Sequence, residues 1–173
     1  MELQHRELAV ASLPDPTGAE EALWASLAVE SGGLFPDVAL VGLDGVPTSF
    51  AEYRRDDRSY LVNLWATHCG PCLKEMPELE ALSASLAADG IEVVGISLDM
   101  GQAVGKVPRF LKRLGVNYPV FTADETVFTQ IFAGEQVFIP LSFIVDRQGR
   151  VVEAMAGWSA EVEAKVRALG QGE

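Results

Sequence analysis

The sequence predicts an α/β domain, in which a central sheet of mixed strands carries helices on both faces. Residues 60–66 and 91–98 are near-continuous apolar runs, as expected for strands that are buried on both faces. A segment with leucines at helical spacing connects them, so these two strands are expected to run parallel. A third apolar run, residues 137–145, is followed by a turn and then by residues 150–155, which predicts an antiparallel pair.

The composition is that of a soluble globular protein with room for a sizeable core. The chain has 173 residues, of which 49% are hydrophobic and 22% are charged. The formal net charge is −12, which argues against nucleic acid as a partner, because binding to a phosphate backbone requires a basic surface.

We predict that residues 1–34 form an N-terminal tail with a short helix, and that residues 35–173 form the main domain. Prolines interrupt the polar residues 1–18, as in a linker. Residues 19–30 carry apolar side chains, including Trp24, at the spacing of a short amphipathic helix.

The beginning of the chain leaves two cellular locations open. No apolar stretch approaches the length of a membrane span, and the first residues lack the basic and apolar regions of a secretory signal. Either the protein is cytoplasmic, or a leader was removed before this numbering begins.

Shorter elements are predicted from turn and capping residues. Asp44 and Gly45 lie between two short apolar runs, which predicts a β-hairpin over residues 37–50. A polar loop is expected from Met100 to Val107. The remaining predicted elements are a helical turn over 49–53, a helix over 108–114, a strand over 117–121, a helix over 124–132 and a final helix over 160–169 capped by Ser159.

The chain contains two cysteines, and both lie in the segment Cys69-Gly-Pro-Cys72 between the first buried strand and its following helix. This spacing lets the two sulfurs reach disulfide distance. The unpaired N–H groups at a helix N-terminus favour a thiolate, so Cys69 is expected to be an acidic, exposed nucleophile and Cys72 the resolving thiol. The alternatives are a stabilising disulfide or a pair of zinc ligands, although zinc needs about four ligands and the chain offers just His5 and His68 besides.

The motif resembles the thioredoxin superfamily and, within it, the bacterial TlpA/ResA group of thiol-disulfide oxidoreductases. The resemblance extends from about residue 35 to about residue 169. The residues that carry it are Leu64, Trp65, Ala66, Thr67, Cys69, Gly70, Pro71 and Cys72, with Glu75, Pro77 and Pro140 following in the expected order. It implies a thioredoxin fold with an N-terminal β-hairpin and a small central βα-type insertion, which would be residues 117–132.

The resemblance also implies partners and a location. Protein disulfides would be the substrates, including apocytochromes c, and a membrane dithiol would donate electrons to a protein that faces outward from the inner membrane. We expect a monomer with no cofactor besides a redox-active Cys69–Cys72 disulfide and with no metal site. The Gly-Pro pair between the cysteines and the isoleucine before Pro140 resemble reducing members, so we expect a reductant.

A proton-transfer role is assigned to Glu75. In cytosolic thioredoxins an acidic residue occupies the position of Asn63, and an amide cannot accept a proton at neutral pH. Glu75 follows Cys72 by three residues, so both side chains share one face of the helix, and ResA-like proteins have a functional glutamate there. Partial burial would raise its pKa. The alternative is an exposed glutamate on the helix surface.

Four residues are expected to contact the substrate. Pro140 matches the cis-proline that lies against the dithiol in the superfamily, and Ile139 would offer its backbone groups to an extended substrate as an added strand. Trp65 belongs to the resembling motif, and His68 stands where the family commonly has tryptophan. Imidazolium next to Cys69 would favour the thiolate.

Two other functions remain as alternatives. A thiol peroxidase would have a threonine three residues before its reactive cysteine, whereas Thr67 precedes Cys69 by two. A copper-binding carrier with this fold could use the two cysteines and His68, although such carriers usually space their cysteines more widely.

Asp99, at the end of the second buried strand, is either part of the site or a turn cap.

Overall fold

The computed structural model describes residues 16–171, and most of the polar segment 1–18 lies outside this range. The strands are β1 (Ala39–Gly42), β2 (Pro47–Ser49), β3 (Ser59–Trp65), β4 (Ile91–Ser97), β5 (Val120–Ala123), β6 (Leu141–Val145) and β7 (Val151–Ala156). The helices are α1 (Pro16–Ala25), α2 (Phe50–Tyr53), α3 (Gly70–Ala88), α4 (Val107–Leu114), α5 (Thr126–Ile131) and α6 (Ala160–Gln171), with a 3₁₀ segment over Gly101–Lys106.

All strands belong to one mixed sheet in the order β2-β1-β5-β4-β3-β6-β7. β3 runs parallel to β4 and antiparallel to β6, and every residue of β3 is buried. β6 also pairs antiparallel with β7, and β1 with β2. The predicted parallel pair, the predicted antiparallel pair and the N-terminal hairpin are therefore confirmed. The hairpin also extends the sheet, because β1 pairs with β5.

The N-terminal helix is shorter than predicted. It ends at Ala25, although the amphipathic pattern continues to residue 30. After it, Leu27 forms a bridge with Phe132, and Ala28 N–H donates to the carbonyl of Ile131. Pairing with the end of α5 thus replaces the last helical turn.

Residues 26–34 are bound to the body of the domain by backbone hydrogen bonds. Gly32 N–H donates to Val151 O, and Val151 N–H donates back to Gly33 O. Leu34 forms a bridge with Arg150. The proposed domain boundary at residue 34 stays a prediction, and this segment packs on β7.

The strand of the insertion begins later than predicted, at Val120 instead of residue 117. The carboxylate of Glu80 accepts hydrogen bonds from the backbone N–H groups of Asn117 and Tyr118 at 2.8 and 3.1 Å. These two residues are consequently held against α3, and the strand pairing starts after Pro119.

Two further differences concern the loop after β4 and the final helix. The segment predicted as a polar loop contains a 3₁₀ helix over Gly101–Lys106. The predicted cap Ser159 accepts a hydrogen bond from Val162 N–H at 3.2 Å, and α6 continues two residues beyond its predicted end. Within residues 16–171, no helix is long and apolar enough to cross a membrane.

Candidate active site

The two cysteines lie at the junction of β3 and α3. The strand ends at Trp65, and Cys69 is the N-cap of the helix, with Pro71 in the first turn, where a missing N–H costs nothing. Cys69 and Cys72 form a disulfide with their Cα atoms 5.3 Å apart, and Cys72 N–H also donates to Cys69 Sγ at 3.3 Å. Since a helix N-terminus favours negative charge, the same contact would stabilise a Cys69 thiolate after reduction.

Cys69 is less accessible than the sequence predicts. It is 3% exposed, and Cys72 is 1% exposed, so the expectation of an exposed nucleophile is wrong for the disulfide form. The sulfur of Cys69 turns inward toward the first turn of α3, where it bonds Cys72, while Gly70 and Pro71 form the exposed rim of the motif.

Asp99 anchors the loop that leads into Cys69. Its buried carboxylate accepts hydrogen bonds from Thr67 N–H at 3.0 Å, from Thr67 Oγ1 at 2.6 Å and from Ser97 Oγ at 2.6 Å. His68 is exposed, with its Nδ1 3.8 Å from Asp99 Oδ1. Asp99 therefore joins the end of β4 to the residues before the cysteine. This contact agrees with the alternative in which Asp99 caps a turn.

Glu75 is buried, which rules out an exposed surface glutamate. It is 4% exposed, and its Oε1 accepts a hydrogen bond of 2.6 Å from Asn63 Nδ2. Asn63 Nδ2 also donates to Ser142 Oγ at 3.1 Å. Burial is the main cause that raises the pKa of Glu75, to about 7. The hydrogen bond from Asn63 lowers the pKa, and the negative charge of the nearby Glu78 raises it. At neutral pH this carboxyl group is thus divided between its acid and base forms.

An open cleft of about 820 Å³ lies beside the helix that carries the cysteines. Both sequence-predicted residues Ile139 and Pro140 line it, and the peptide bond between them is cis. The other lining residues are Ala22, Leu23, Ser26, Pro71, Lys74, Glu75, Glu78, Gln136, Phe138, Ala156, Gly157 and Trp158. Glu75 is therefore within reach of anything that occupies the cleft.

Trp65 does not lie in the cleft. It is fully buried, and its indole Nε1 faces Gly95 on β4. The prediction that Trp65 contacts substrate directly is therefore corrected for this conformation: as the last residue of β3 it belongs to the core beneath the site.

Several residues of the site escaped the sequence analysis. Ser142 could have been found from the strand register, since it is the cross-strand partner of Asn63 on β6. Phe138 and Trp158 line the cleft from two separate loops, and no local sequence signal joins these loops. Among residues 16–171, no three His, Cys, Asp or Glu side chains are grouped as metal ligands.

Comparison with known proteins assigns this fold and dithiol to a family. The Redoxin family model matches residues 30–168. The chain belongs to the Redoxin family. This match includes all strands of the sheet, both cysteines and Pro140.

Curated relatives of this Redoxin-family protein include two ResA proteins. "Thiol-disulfide oxidoreductase ResA" of Geobacillus thermodenitrificans is 27% identical over 139 residues, which are 80% of this chain and 76% of the relative. The ResA of Bacillus subtilis is 25% identical over 134 residues, which are 77% and 71% of the two chains.

Solved structures of similar fold carry related names. A "thiol:disulfide interchange protein, thioredoxin family protein" from Chlorobium tepidum has a TM-score of 0.66 at 27% identity, and the match covers 84% of this chain and 100% of that one. StoA from Bacillus subtilis has a TM-score of 0.60 at 18% identity, with 78% and 98% covered, which shows the fold alone. Together with the Cys69–Cys72 disulfide, the relatives confirm a TlpA/ResA-like thiol-disulfide oxidoreductase with a thioredoxin fold.

Proposed function

We propose that this Redoxin-family protein reduces disulfides of protein substrates, with Glu75 as the proton-transfer group. The observation that carries this proposal is the buried Glu75 carboxyl group, which lines the cleft one helical turn after Cys72 and has a pKa of about 7. The reductive direction draws support from the Gly-Pro pair between the cysteines and from the isoleucine before Pro140, which resemble reducing members.

In the first step, the Cys69 thiolate attacks one sulfur of the substrate disulfide. A Cys69–substrate bond forms, the substrate S–S bond breaks, and the other substrate sulfur leaves as a thiolate that takes a proton from solvent. The N-terminus of α3 supports the attacking thiolate through its unpaired N–H groups, including that of Cys72.

In the second step, ionised Glu75 takes the proton of the Cys72 thiol. The Cys72 thiolate attacks Cys69 Sγ, which forms the Cys69–Cys72 disulfide and releases the second substrate sulfur as a thiolate. That thiolate receives the proton held by Glu75. Overall, two electrons pass from the dithiol to the substrate. One of the two protons comes from Cys72 through Glu75, and the other comes from solvent, to which Cys69 had released its own. Cys72 and Glu75 are both buried, so the proton passes between two groups that are shielded from bulk solvent.

The cleft is the proposed binding surface for the substrate chain. Phe138, Pro71 and Trp158 supply apolar and aromatic contacts, as expected for an extended peptide. Ile139 lies outside β6, and within residues 16–171 its backbone N–H and C=O groups have no hydrogen-bond partner, so they are available for strand addition. His68 is exposed next to Cys69 in the chain and does not line the cleft, so it would contact a substrate that extends past the cysteines.

The electron source and the location complete the proposal through the resemblance to the TlpA/ResA group. A membrane dithiol would reduce the Cys69–Cys72 disulfide after each cycle, and the protein would act as a monomer outside the cytoplasm. Apocytochromes c are the proposed substrates, because their cysteine pairs must be reduced before haem attachment.

The reduction potential of the Cys69–Cys72 pair tests the proposed direction. The protein is equilibrated in thiol buffers of defined potential, and the alkylated sulfurs are counted by mass spectrometry. A potential of about −270 mV or lower, which is the range of thioredoxin, supports a reductant. A potential near about −120 mV would make the protein an oxidant and overturn the proposal.

A further inference from the structure

Four buried polar atoms near Glu75 lack a hydrogen-bond partner within residues 16–171. They are Asn63 Oδ1, Trp65 Nε1, Glu75 Oε2 and the hydroxyl of Tyr118. Buried polar groups in native proteins are nearly always hydrogen-bonded, either to protein or to ordered water. Four such atoms in one neighbourhood therefore indicate a common partner.

The strand register brings these atoms to one face of the sheet. Asn63 and Trp65 are two positions apart on β3, so their side chains share a face, and Gly95 is the β4 partner of Asn63. A Cβ atom placed on Gly95 would lie 3.3 Å from Trp65 Nε1 and 3.5 Å from Tyr118 Cε2. Val120 Cγ2 would be nearer still, at 3.1 Å, so the two rings pack closely over Gly95 and are neighbours on this face of the sheet.

The orientation of the Asn63 amide supports the same location. Its Nδ2 donates to Ser142 on β6 and to Glu75. β3 lies between β6 and β4, so Ser142 and Gly95 are on opposite sides of Asn63, and Nδ2 is directed toward Ser142. Tyr118 is also near Glu75, since burial and, next, the negative charge of Glu75 raise the pKa of the Tyr118 phenol.

The chemistry of the four atoms matches one water molecule. Trp65 Nε1–H and the Tyr118 hydroxyl are donors, whereas Asn63 Oδ1 and the ionised Glu75 Oε2 are acceptors. A water molecule accepts two hydrogen bonds and donates two, and buried waters typically make about three. We propose that a buried water binds among Asn63, Trp65, Glu75 and Tyr118, and that Tyr118 is a positioning residue that orients this water toward Glu75.

The bound water would change how readily Glu75 gives up its proton. A hydrogen bond donated to the carboxylate stabilises the charged form and opposes the effect of burial. The other groups that face this carboxyl group or its neighbours are Glu78 and Lys74 on α3, while Glu80 holds the backbone of Tyr118. The kinetic part of this inference rests on the proposed role of Glu75, whereas the binding of water does not.

The variant Tyr118→Phe tests the positioning role, because it removes the hydroxyl and keeps the ring. We expect the pH midpoint of thiol–disulfide exchange to rise by about half a unit, since Glu75 would lose support for its ionised form. Tyr53→Phe is the matched control: the Tyr53 hydroxyl bonds Glu92, away from the cysteines, and its loss should leave the midpoint unchanged. An unchanged midpoint in Tyr118→Phe would overturn the positioning role.

Nuclear magnetic resonance tests the water directly. The chain has three tryptophans, so the Trp65 indole proton is assigned by comparison with Trp24→Phe and Trp158→Phe. We expect a nuclear Overhauser contact between this proton and a long-lived water in the folded protein. Its absence would overturn the water site even if Glu75 proves essential, and its presence would support the site even if Glu75 proves dispensable for exchange.

Discussion

Asn63 and Glu75 form a hydrogen bond of 2.6 Å between Nδ2 and Oε1 in the core of the protein, directly beneath the helix turn that carries the cysteines. Asn63 cannot take up a proton, but its amide holds the carboxyl group that can. In the proposed mechanism the acid–base group therefore lies on α3, and it contacts the central strand through Asn63. Burial of Glu75 and its pKa near 7 make this pair testable in several ways.

Replacement of Glu75 should change the pH dependence of stability. The folded protein keeps a proton on Glu75 up to a pH of about 7, whereas the unfolded chain releases it near 4.5. Between these values the folded state binds more protons, so the free energy of unfolding falls as pH rises, by up to about 3 kcal/mol. Glu75→Gln should match wild type near pH 4.5 and become more stable than wild type at pH 8.

Denaturant titrations of the oxidised proteins at several pH values measure this difference. Glu135→Gln is the control, because Glu135 is exposed in the loop after α5 and should show no such divergence. Parallel curves for wild type and Glu75→Gln from pH 4.5 to 8 would show that Glu75 is not a buried group with a raised pKa.

Glu75→Gln should also lose an inflection in the pH dependence of the rate at which the mixed disulfide is resolved. In wild type, resolution of the mixed disulfide should accelerate through a pH of about 7, as Glu75 becomes ionised and can accept the Cys72 proton. In Glu75→Gln, the rate of resolution should fall by about tenfold or more, and the inflection should be absent. Stopped-flow measurements from pH 5 to 9 follow the reaction, and retention of the inflection in the variant would remove Glu75 from the mechanism.

Serine variants of the two cysteines should differ in whether they accumulate a covalent complex with substrate. Cys72→Ser retains the nucleophile but cannot resolve, so it should accumulate a covalent complex with an oxidised protein substrate. Cys69→Ser should form no such complex, because the N-cap position that favours a thiolate belongs to Cys69, whereas Cys72 lies inside the first turn of α3. Mass spectrometry under non-reducing conditions identifies the linked cysteine, and trapping through Cys72 would reverse the assigned roles.

Asp99 should be required for the shape of the loop before Cys69. Its carboxylate accepts three buried hydrogen bonds within 3.0 Å, from Thr67 and Ser97. An asparagine would turn a donor toward these donors, so Asp99→Asn should lower the free energy of unfolding by about 2 kcal/mol or more. Thermal unfolding measures the loss. Asp124→Asn, at an exposed turn, is the control that should cost about 1 kcal/mol or less. Equal losses in both variants would contradict the anchoring role.

Local patterns in the sequence were sufficient for much of the fold. The buried strand, the Cys-Gly-Pro-Cys turn and the following helix are contiguous, so hydrophobic periodicity and capping chemistry locate the dithiol. The same reasoning placed Glu75 on the face of Cys72, because residues three apart on a helix are neighbours. The hairpin at Asp44-Gly45 and the cap at Ser159 are likewise local signals.

Segments with contacts distant in the chain departed from their local patterns. α1 ends early because residues 27 and 28 pair with the end of α5. β5 starts late because Glu80 binds the backbone of Asn117 and Tyr118. In both cases a hydrogen bond from across the domain outweighs a helix or strand preference of a few tenths of a kcal/mol per residue.

Residue type and spacing along one strand, one turn and one helix were enough to predict the dithiol and a carboxyl group on the face of Cys72. The roles predicted for Glu75 and Pro140 also drew on the resemblance to the TlpA/ResA group. The environment of these groups depends on contacts between elements that are distant in the chain. The inward turn of Cys69, the burial of Trp65, the chain from Ser142 through Asn63 to Glu75 and the approach of Tyr118 all join separate elements. Burial and electrostatic coupling depend on distances in space, and sequence separation does not determine these distances.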